Sequence, residues 1–310
     1  VYYNPVVNAA NQRLLLGYLR RALSRLGWRA DVVWTYWPNT AYVVGRLGER
    51  VSVYHCVDPF AAAGYPMVSP RTILRMEAEQ CRKVHLVLTR TAALTATKRR
   101  LNPNTHLLPG GVDIGRFDPS RVGPPPAELA HLARPRVGLV GTIDDRVDVG
   151  LLARCARSLP KTTFVLVGPI KGHKVDVKPL RSLANVHLLP PCPHSEVPAF
   201  VAAFDVCLIP YRVNEYTRRL APIKLYEYLA MGKPVVATDL PYLRREAAHI
   251  RIAKTAEGFQ AAVRAALECR PDAQQRATWR DVAEAHSWER QVDEIGRHLE
   301  PLLKGDACTP

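Results

Sequence analysis

No stretch of this chain approaches the roughly 20 consecutive apolar residues that a membrane-spanning helix needs, which excludes a helical span. Cys-x-x-Cys pairs are missing too. The seven cysteines (56, 81, 155, 192, 207, 269 and 308) are odd in number and scattered. That argues against a disulfide framework and a zinc site, and fits a reducing compartment. There is no full Gly-x-Gly-x-x-Gly, so a dinucleotide fingerprint is unsupported. Helix-turn-helix, zinc-finger and aromatic–basic RNP patterns are also absent, so nucleic acid is not an expected partner. The chain opens on Val1 without a charged-then-apolar leader, and reads as a cytosolic protein lacking its start.

What is present is a globular composition. The 310 residues are 47% hydrophobic, 23% charged and 7% aromatic, enough for two domains with sizeable cores. Acids are in deficit: 43 Lys and Arg against 28 Asp and Glu give +15. Residues 1–134 carry 18 basic and 8 acidic residues, so most of the excess lies there. Such a half suggests an anionic partner, whether a phosphorylated substrate or an acidic membrane face. An arginine-rich, high-GC coding sequence would give part of the same excess.

Short apolar runs alternate with helical stretches, the pattern of parallel α/β structure. The first half predicts strands at 31–36, 51–57, 85–90 and 105–109, with helices near 10–28, 40–48, 70–83 and 91–100. GPPP at 123–126 then suits a domain boundary. The second half predicts strands at 136–142, 162–168, 186–190, 205–210, 234–238 and 250–254. Helices fill 147–158, 194–203, 222–231, 241–248 and 256–269, and two more come near 274–285 and 287–304. Six strands with helical crossovers make a complete doubly wound sheet, whereas four make an incomplete one. Ligands of such sheets bind beyond the carboxyl ends of the strands.

Four segments at those ends are candidates for chemistry. After the 136–142 strand come Gly141, where a ligand can approach the backbone, and Arg146, placed to meet a phosphate. An ordinary turn with a surface arginine explains them equally. The stretch from Asn214 to Val236, NEYTRRLAPIKLYEYLAMGKPVV, comes after the 205–210 strand. Pro222 suits a first helical turn, and Lys224 and Glu227 fall at i and i+3 on one face. That face can hold a phosphate and sugar hydroxyls, or be a solvated ion pair. In the first half, His55 and Asp58 bracket the end of the 51–57 strand, and Trp37-Pro38 comes after the 31–36 strand. His55 reads first as a core histidine and second as an acceptor-facing group.

PIKLYEYLAMGKPVVAT, with LLPGGVDIGRF at 107–117, EAEQCRKVHLVLTRTAAL at 77–94, the VGTI and VLVGP segments and HSWE at 286–289, resembles the GT-B glycosyltransferases of the family 4 type. Teichuronic-acid-type and cell-envelope polysaccharide transferases show a similar Asn-Glu-x-Thr-Arg…Pro-x-Lys-x-x-Glu-Tyr arrangement. The motifs run in the expected order from about residue 28 to 290. The resemblance implies two Rossmann-like α/β domains facing a cleft: an incomplete acceptor-side domain at 1–122 and a nucleotide-sugar domain at 135–285. Helix 287–304 would return to the first.

It also implies a retaining transfer of a sugar from a nucleotide-diphosphate sugar, with no metal or other cofactor, to a cell-envelope glycan or lipid-linked acceptor. Glu227 matches the glutamate that holds the donor ribose, and Arg146 and Lys224 become the diphosphate clamp, with Gly141, Thr217 and Pro222 beside them. The family's second glutamate, eight positions earlier, is Arg219 here. Glu215, twelve positions earlier, is the substitute for contact with the donor sugar. A nucleotide-sugar epimerase of the same fold and a non-catalytic anionic-polymer-binding protein are the alternatives. The basic helix at 11–28, with Arg13, Arg20, Arg21, Arg25 and Arg29 among leucines, predicts either peripheral contact with an anionic inner leaflet or a core helix with an arginine-rich outer face.

Overall fold

A computed structural model describes residues 4–63 and 68–305. The chain forms two compact units, the first of residues 1–110, 219–221 and 291–310, the second of 111–218 and 222–290. Six described cysteines carry free thiols, and Cys308 lies outside the described residues.

The first unit holds a four-stranded parallel sheet in the order β1-β2-β3-β4: β1 Val32–Thr35, β2 Val51–Cys56, β3 Leu86–Thr89 and β4 Thr105–Leu107. Helices α1 Pro5–Leu26, α2 Pro70–Lys83 and α3 Ala92–Arg99 belong to it. One sheet face packs Tyr54, Cys56 and Val87 with Ile73 and Cys81 of α2. The buried Glu77 carboxylate there pairs with Lys98 and accepts from Tyr54 Oη at 3.0 Å. The other face packs Val51, Val53, Leu86 and Leu88 against Ile295 and Leu299.

The second unit holds six parallel strands: β5 Arg136–Val140, β6 Thr163–Val167, β7 Val186–Leu189, β8 Val206–Ile209, β9 Val235–Thr238 and β10 Arg251–Ala253. Its helices are α4 Val149–Ser158, α5 Lys178–Arg181, α6 Val197–Ala203, α7 Lys224–Ala230, α8 Ala256–Glu268 and α9 Ala273–Glu284. The last helix, α10 Trp288–Lys304, starts in this unit and continues into the first from residue 291. Strand order is β10-β9-β8-β5-β6-β7. All of β5, β6, β8 and β9 is buried, as the unbroken apolar runs require of strands covered on both faces.

Three sequence expectations change. The helix expected over 40–48 is a series of turns. Gly45 and Gly48 sit at φ +77° and +74°, and the Glu49 carboxylate accepts from the backbone of Gly45 and Leu47, replacing helical partners. The helix expected over 241–248 is a short 3-10 turn, Leu243–Glu246. The GPPP loop lies inside the second unit, because the chain has already joined it: Val112 N donates to His286 O at 2.9 Å, and Phe117 and Leu129 are buried.

Gly138 of β5 is a packing residue. A Cβ there would collide with the fully buried Phe204 ring. Gly138→Ala is expected to destabilise the fold by about 1–3 kcal/mol through overpacking. A thermal melt read by circular dichroism checks this, and an unchanged midpoint contradicts the packing.

Candidate functional site

The strand order reverses at β5. From it the chain winds outward through β6 and β7, then returns to β8 on the other side and continues to β9 and β10. The crevice between β5 and β8 is therefore the topological switch point, where open α/β sheets take ligands.

The loop leaving β5 is fastened on both flanks. On the β6 side, Gly141 N donates to Val167 O at 2.8 Å and Ile143 N to Pro169 O at 3.0 Å. On the β8 side, Asp148 N donates to Pro210 O at 2.8 Å and Arg212 N to Arg146 O at 2.7 Å. Three side chains meet over this rigid floor. Lys224, the first residue of α7, donates from Nζ to Tyr211 Oη at 2.8 Å. Its ammonium passes over Gly141, where a Cβ would stand 3.2 Å from Nζ. Gly141 lies at φ +135°, so the position resists a side chain on both counts. Arg146 lies 5.9 Å from the centroid of the same Tyr211 ring.

The two cations are not equivalent. Arg146 is held by the Asp144 carboxylate in two parallel bonds, Nε to Oδ1 at 2.8 Å and Nη2 to Oδ2 at 2.7 Å. Burial alone would raise the Asp144 carboxyl, but the hydrogen bond and charge of Arg146 outweigh it and hold that carboxyl low. The pair carries no net charge. Three guanidinium N–H groups remain for a ligand. Lys224 faces a phenol, not a carboxylate, and has two N–H groups left.

One turn along α7, Glu227 is 16% exposed, with Oε1 at 3.5 Å from His194 Nε2. Arg116 Nη1 approaches His194 Nδ1 at 2.6 Å. An arginine can only donate, so Nδ1 accepts and Nε2 carries the proton toward Glu227. At 3.5 Å that bond is weak, which leaves the carboxylate's lone pairs for a ligand. Gly232 N and Lys233 N return to the Leu229 and Tyr228 carbonyls and close the helix.

Other expected residues take different places. Thr217 is fully buried: its hydroxyl donates to Arg212 O, and its N–H donates to Asn214 Oδ1 at 2.9 Å, so it braces its own loop. Glu215 is exposed on that loop. Pro222 is buried just before α7, and its carbonyl accepts from Leu225 N at 3.2 Å. In the first unit, His55 lies within β2 and Asp58 in the turn after it, where its carbonyl accepts from Phe60 N at 2.9 Å. Burial, helped by the Arg90 charge, pushes the His55 imidazole down to about 4, so the ring is neutral at pH 7.

Sequence reasoning missed Tyr211, Asp144, His194 and Arg116. The first two stand just past strand ends, a signal within reach. His194 and Arg116 are 78 residues apart, and no spacing rule joins them. A cavity of about 660 Å³ lies at the opposite edge of this sheet, between Pro135, Asp205 and Pro234. Three of the cations that line it are already engaged: Lys233 donates to Ala202 O and Phe204 O, Arg134 pairs with Asp205, and Arg276 Nε donates to Pro271 O.

Residues 134–269 match the family described as glycosyl transferases group 1. That segment is similar to a glycosyltransferase group 1 domain. The putative teichuronic acid biosynthesis glycosyltransferase TuaH of Bacillus subtilis (strain 168) is 30% identical over 172 residues, 55% of this chain and 42% of that protein. The match thus spans less than half the relative's length. Among solved structures, the sucrose-phosphate synthase (tll1590) of Thermosynechococcus elongatus has a TM-score of 0.73 at 17% identity, over 94% of this chain and 78% of that one. Anabaena Alr3699/HepE, in complex with UDP and glucose, has a TM-score of 0.70 at 17% identity, over 92% and 81%. These likenesses establish the GT-B fold. Tyr211, Lys224 and Glu227 all fall inside the matched residues.

Proposed function

We propose that the chain is a retaining glycosyltransferase, moving a sugar from a nucleotide-diphosphate sugar to a cell-envelope glycan or lipid-linked acceptor. The observation that carries this reading is the Lys224 ammonium over the Gly141 backbone at the switch point, with the Glu227 carboxylate one turn away. Breaking a glycosyl–phosphate bond puts positive charge on the sugar and negative charge on the departing diphosphate. A fixed cation at that diphosphate stabilises the transition state more than the ground state. Lys224 and the free N–H groups of Arg146 supply it, Glu227 takes the ribose hydroxyls, and Glu215 contacts the donor sugar. No metal is required by this scheme, and the leaving phosphate accepts the acceptor's proton. HepE's complex with UDP and the name of TuaH support the donor and acceptor classes. Donor hydrolysis across UDP-, GDP- and dTDP-sugars tests the reading. Release of nucleotide from at least one donor is expected, and turnover to an epimer or inertness toward all of them contradicts it.

The acceptor side would work on the inner face of the plasma membrane. Among the described side chains of helix α1 only Gln12 and Leu16 are deeply buried, while Leu14, Tyr18 and Leu26 are each more than half exposed beside Arg21 and Arg25. Leu16, with the partly buried Leu19 and Leu23, turns one apolar stripe inward, as a core helix with an arginine-rich outer face requires, so the proposal rests on the apolar side chains left outside that stripe. Such a face fits an anionic lipid surface, each basic residue adding about 1 kcal/mol near it. Co-sedimentation with liposomes is expected to rise with anionic lipid and to fall on reversing Arg21 and Arg25 to glutamate. Indifference to both excludes the membrane role.

A further inference from the structure

Four buried polar atoms without a partner lie on one patch of the first unit: Trp34 Nε1, both ring nitrogens of His55, and Arg90 Nε. Buried polar atoms are nearly always hydrogen-bonded, so four on three neighbouring residues call for an explanation. The strand register brings them together. Trp34 pairs with Val53, and His55 with Leu88, which puts Trp34 and His55 on the same sheet face. Arg90 stands two residues beyond Leu88 of β3, close enough for its charge to act on the His55 ring. The Trp34 and His55 rings meet edge-on with centroids 5.8 Å apart. All three residues stand at the carboxyl ends of parallel strands, the edge where such sheets take ligands.

The chemistry of the patch is one-sided. An indole N–H and a guanidinium N–H can only donate, and a neutral imidazole adds one donor and one acceptor. One cation stands there with no carboxylate among these orphans. The matching ligand is rich in acceptors and negatively charged. Tyr36, 47% exposed, lies tilted over the His55 ring at 5.3 Å, and Trp37, 52% exposed, stands next to it on Phe60. Exposed aromatic faces at that edge suit the apolar face of a sugar ring.

We propose that Trp34, His55 and Arg90, covered by Tyr36, form a subsite for an oxyanion carried by the sugar acceptor, a carboxylate or a phosphate. This rests on the glycosyltransferase reading for the word acceptor, but the oxyanion site itself does not depend on it. Displacement of the Tyr36 ring opens the His55 nitrogens. The Arg90 Nε–H and the Trp34 indole N–H then donate to the anion, and the sugar that carries it lies against Tyr36 and Trp37. The acceptor would be an acidic or phosphorylated sugar rather than a neutral one.

The test is nuclear magnetic resonance of the whole chain, observing the Trp34 indole N–H and the His55 ring signals. Sodium phosphate, glucuronate and, as the neutral control, glucose are titrated in turn, each at constant ionic strength. A saturable shift with glucuronate alone assigns a carboxylate, one with phosphate alone assigns a phosphate, and glucose leaves the signals in place. Arg90→Gln should weaken the response at least tenfold. Trp34→Phe, which removes only the N–H donor, should weaken it severalfold and serves as the decisive variant if Arg90→Gln does not fold. No response to either anion, or an undiminished one in the folded variants, overturns the subsite. UDP is titrated into the same sample and read on Tyr211 and Lys224. UDP binding without an oxyanion response overturns the subsite alone. An oxyanion response without UDP binding overturns the donor reading and leaves the subsite standing.

Discussion

Lys224→Ala is expected to slow sugar transfer by about two to three orders of magnitude while leaving the protein folded. The size comes from what the ammonium does. It is the cation of the switch point with no carboxylate bound to it, whereas Arg146 is neutralised by Asp144 through two bonds of 2.8 and 2.7 Å. Removing one preorganised donor from a developing oxyanion typically costs about 3 kcal/mol of transition-state stabilisation. Folding loses only the bond to Tyr211 Oη, a contribution of about 1 kcal/mol. The converse, Arg146→Ala, should cost less in rate, because that guanidinium is shared, and more in stability, because the largely buried Asp144 loses its partner. Steady-state turnover of the preferred donor, beside thermal melts of both variants, checks the pair. Equal rates for wild type and Lys224→Ala would remove the ammonium from the chemistry.

Glu227→Ala should weaken nucleotide binding by about one to two orders of magnitude. A carboxylate accepting from both ribose hydroxyls makes charged hydrogen bonds worth roughly 1.5–3 kcal/mol. The structure shows why the carboxylate is available. Lys224 turns away to Tyr211, and the His194 bond to Glu227 is long, at 3.5 Å, from a ring that is itself 57% exposed. The alanine variant should therefore melt within about 1 kcal/mol of wild type. Calorimetric titration with UDP and GDP reads the affinity. A large loss of stability with unchanged affinity would mean that Glu227 is a structural ion-pair residue.

Much of the fold and part of the site are legible in the residues alone. The ten strands among the described residues fall within the expected segments, and β3, β5, β6, β8 and β9 are the plainest because a strand buried on both faces leaves no room for polar alternation. Gly141 stands out because it lies just past a parallel strand, Lys224 and Glu227 because they share one face of a helix whose segment resembles the family's, and the strand order places Gly141 at its reversal point. Local chemistry defeats the helix expected at 40–48. The Glu49 carboxylate, just past that segment, captures the Gly45 and Leu47 amides that an apolar pattern assigns to a helix. Thr217 departs from expectation for a similar reason. A threonine in a ligand-edge loop looks available, yet its hydroxyl is consumed by Arg212 and Asn214. The division of labour between Arg146 and Lys224 is not legible, since it depends on Arg146 folding back two residues onto Asp144 and on Tyr211 standing between the cations.

The most direct test of the donor site is a crystal structure with UDP bound. The expected result is a ribose whose two hydroxyls reach the Glu227 carboxylate, with the diphosphate over Gly141 and within hydrogen-bond distance of Lys224 Nζ. UDP bound elsewhere, or a diphosphate turned away from Lys224 with the ribose free of Glu227, would contradict it.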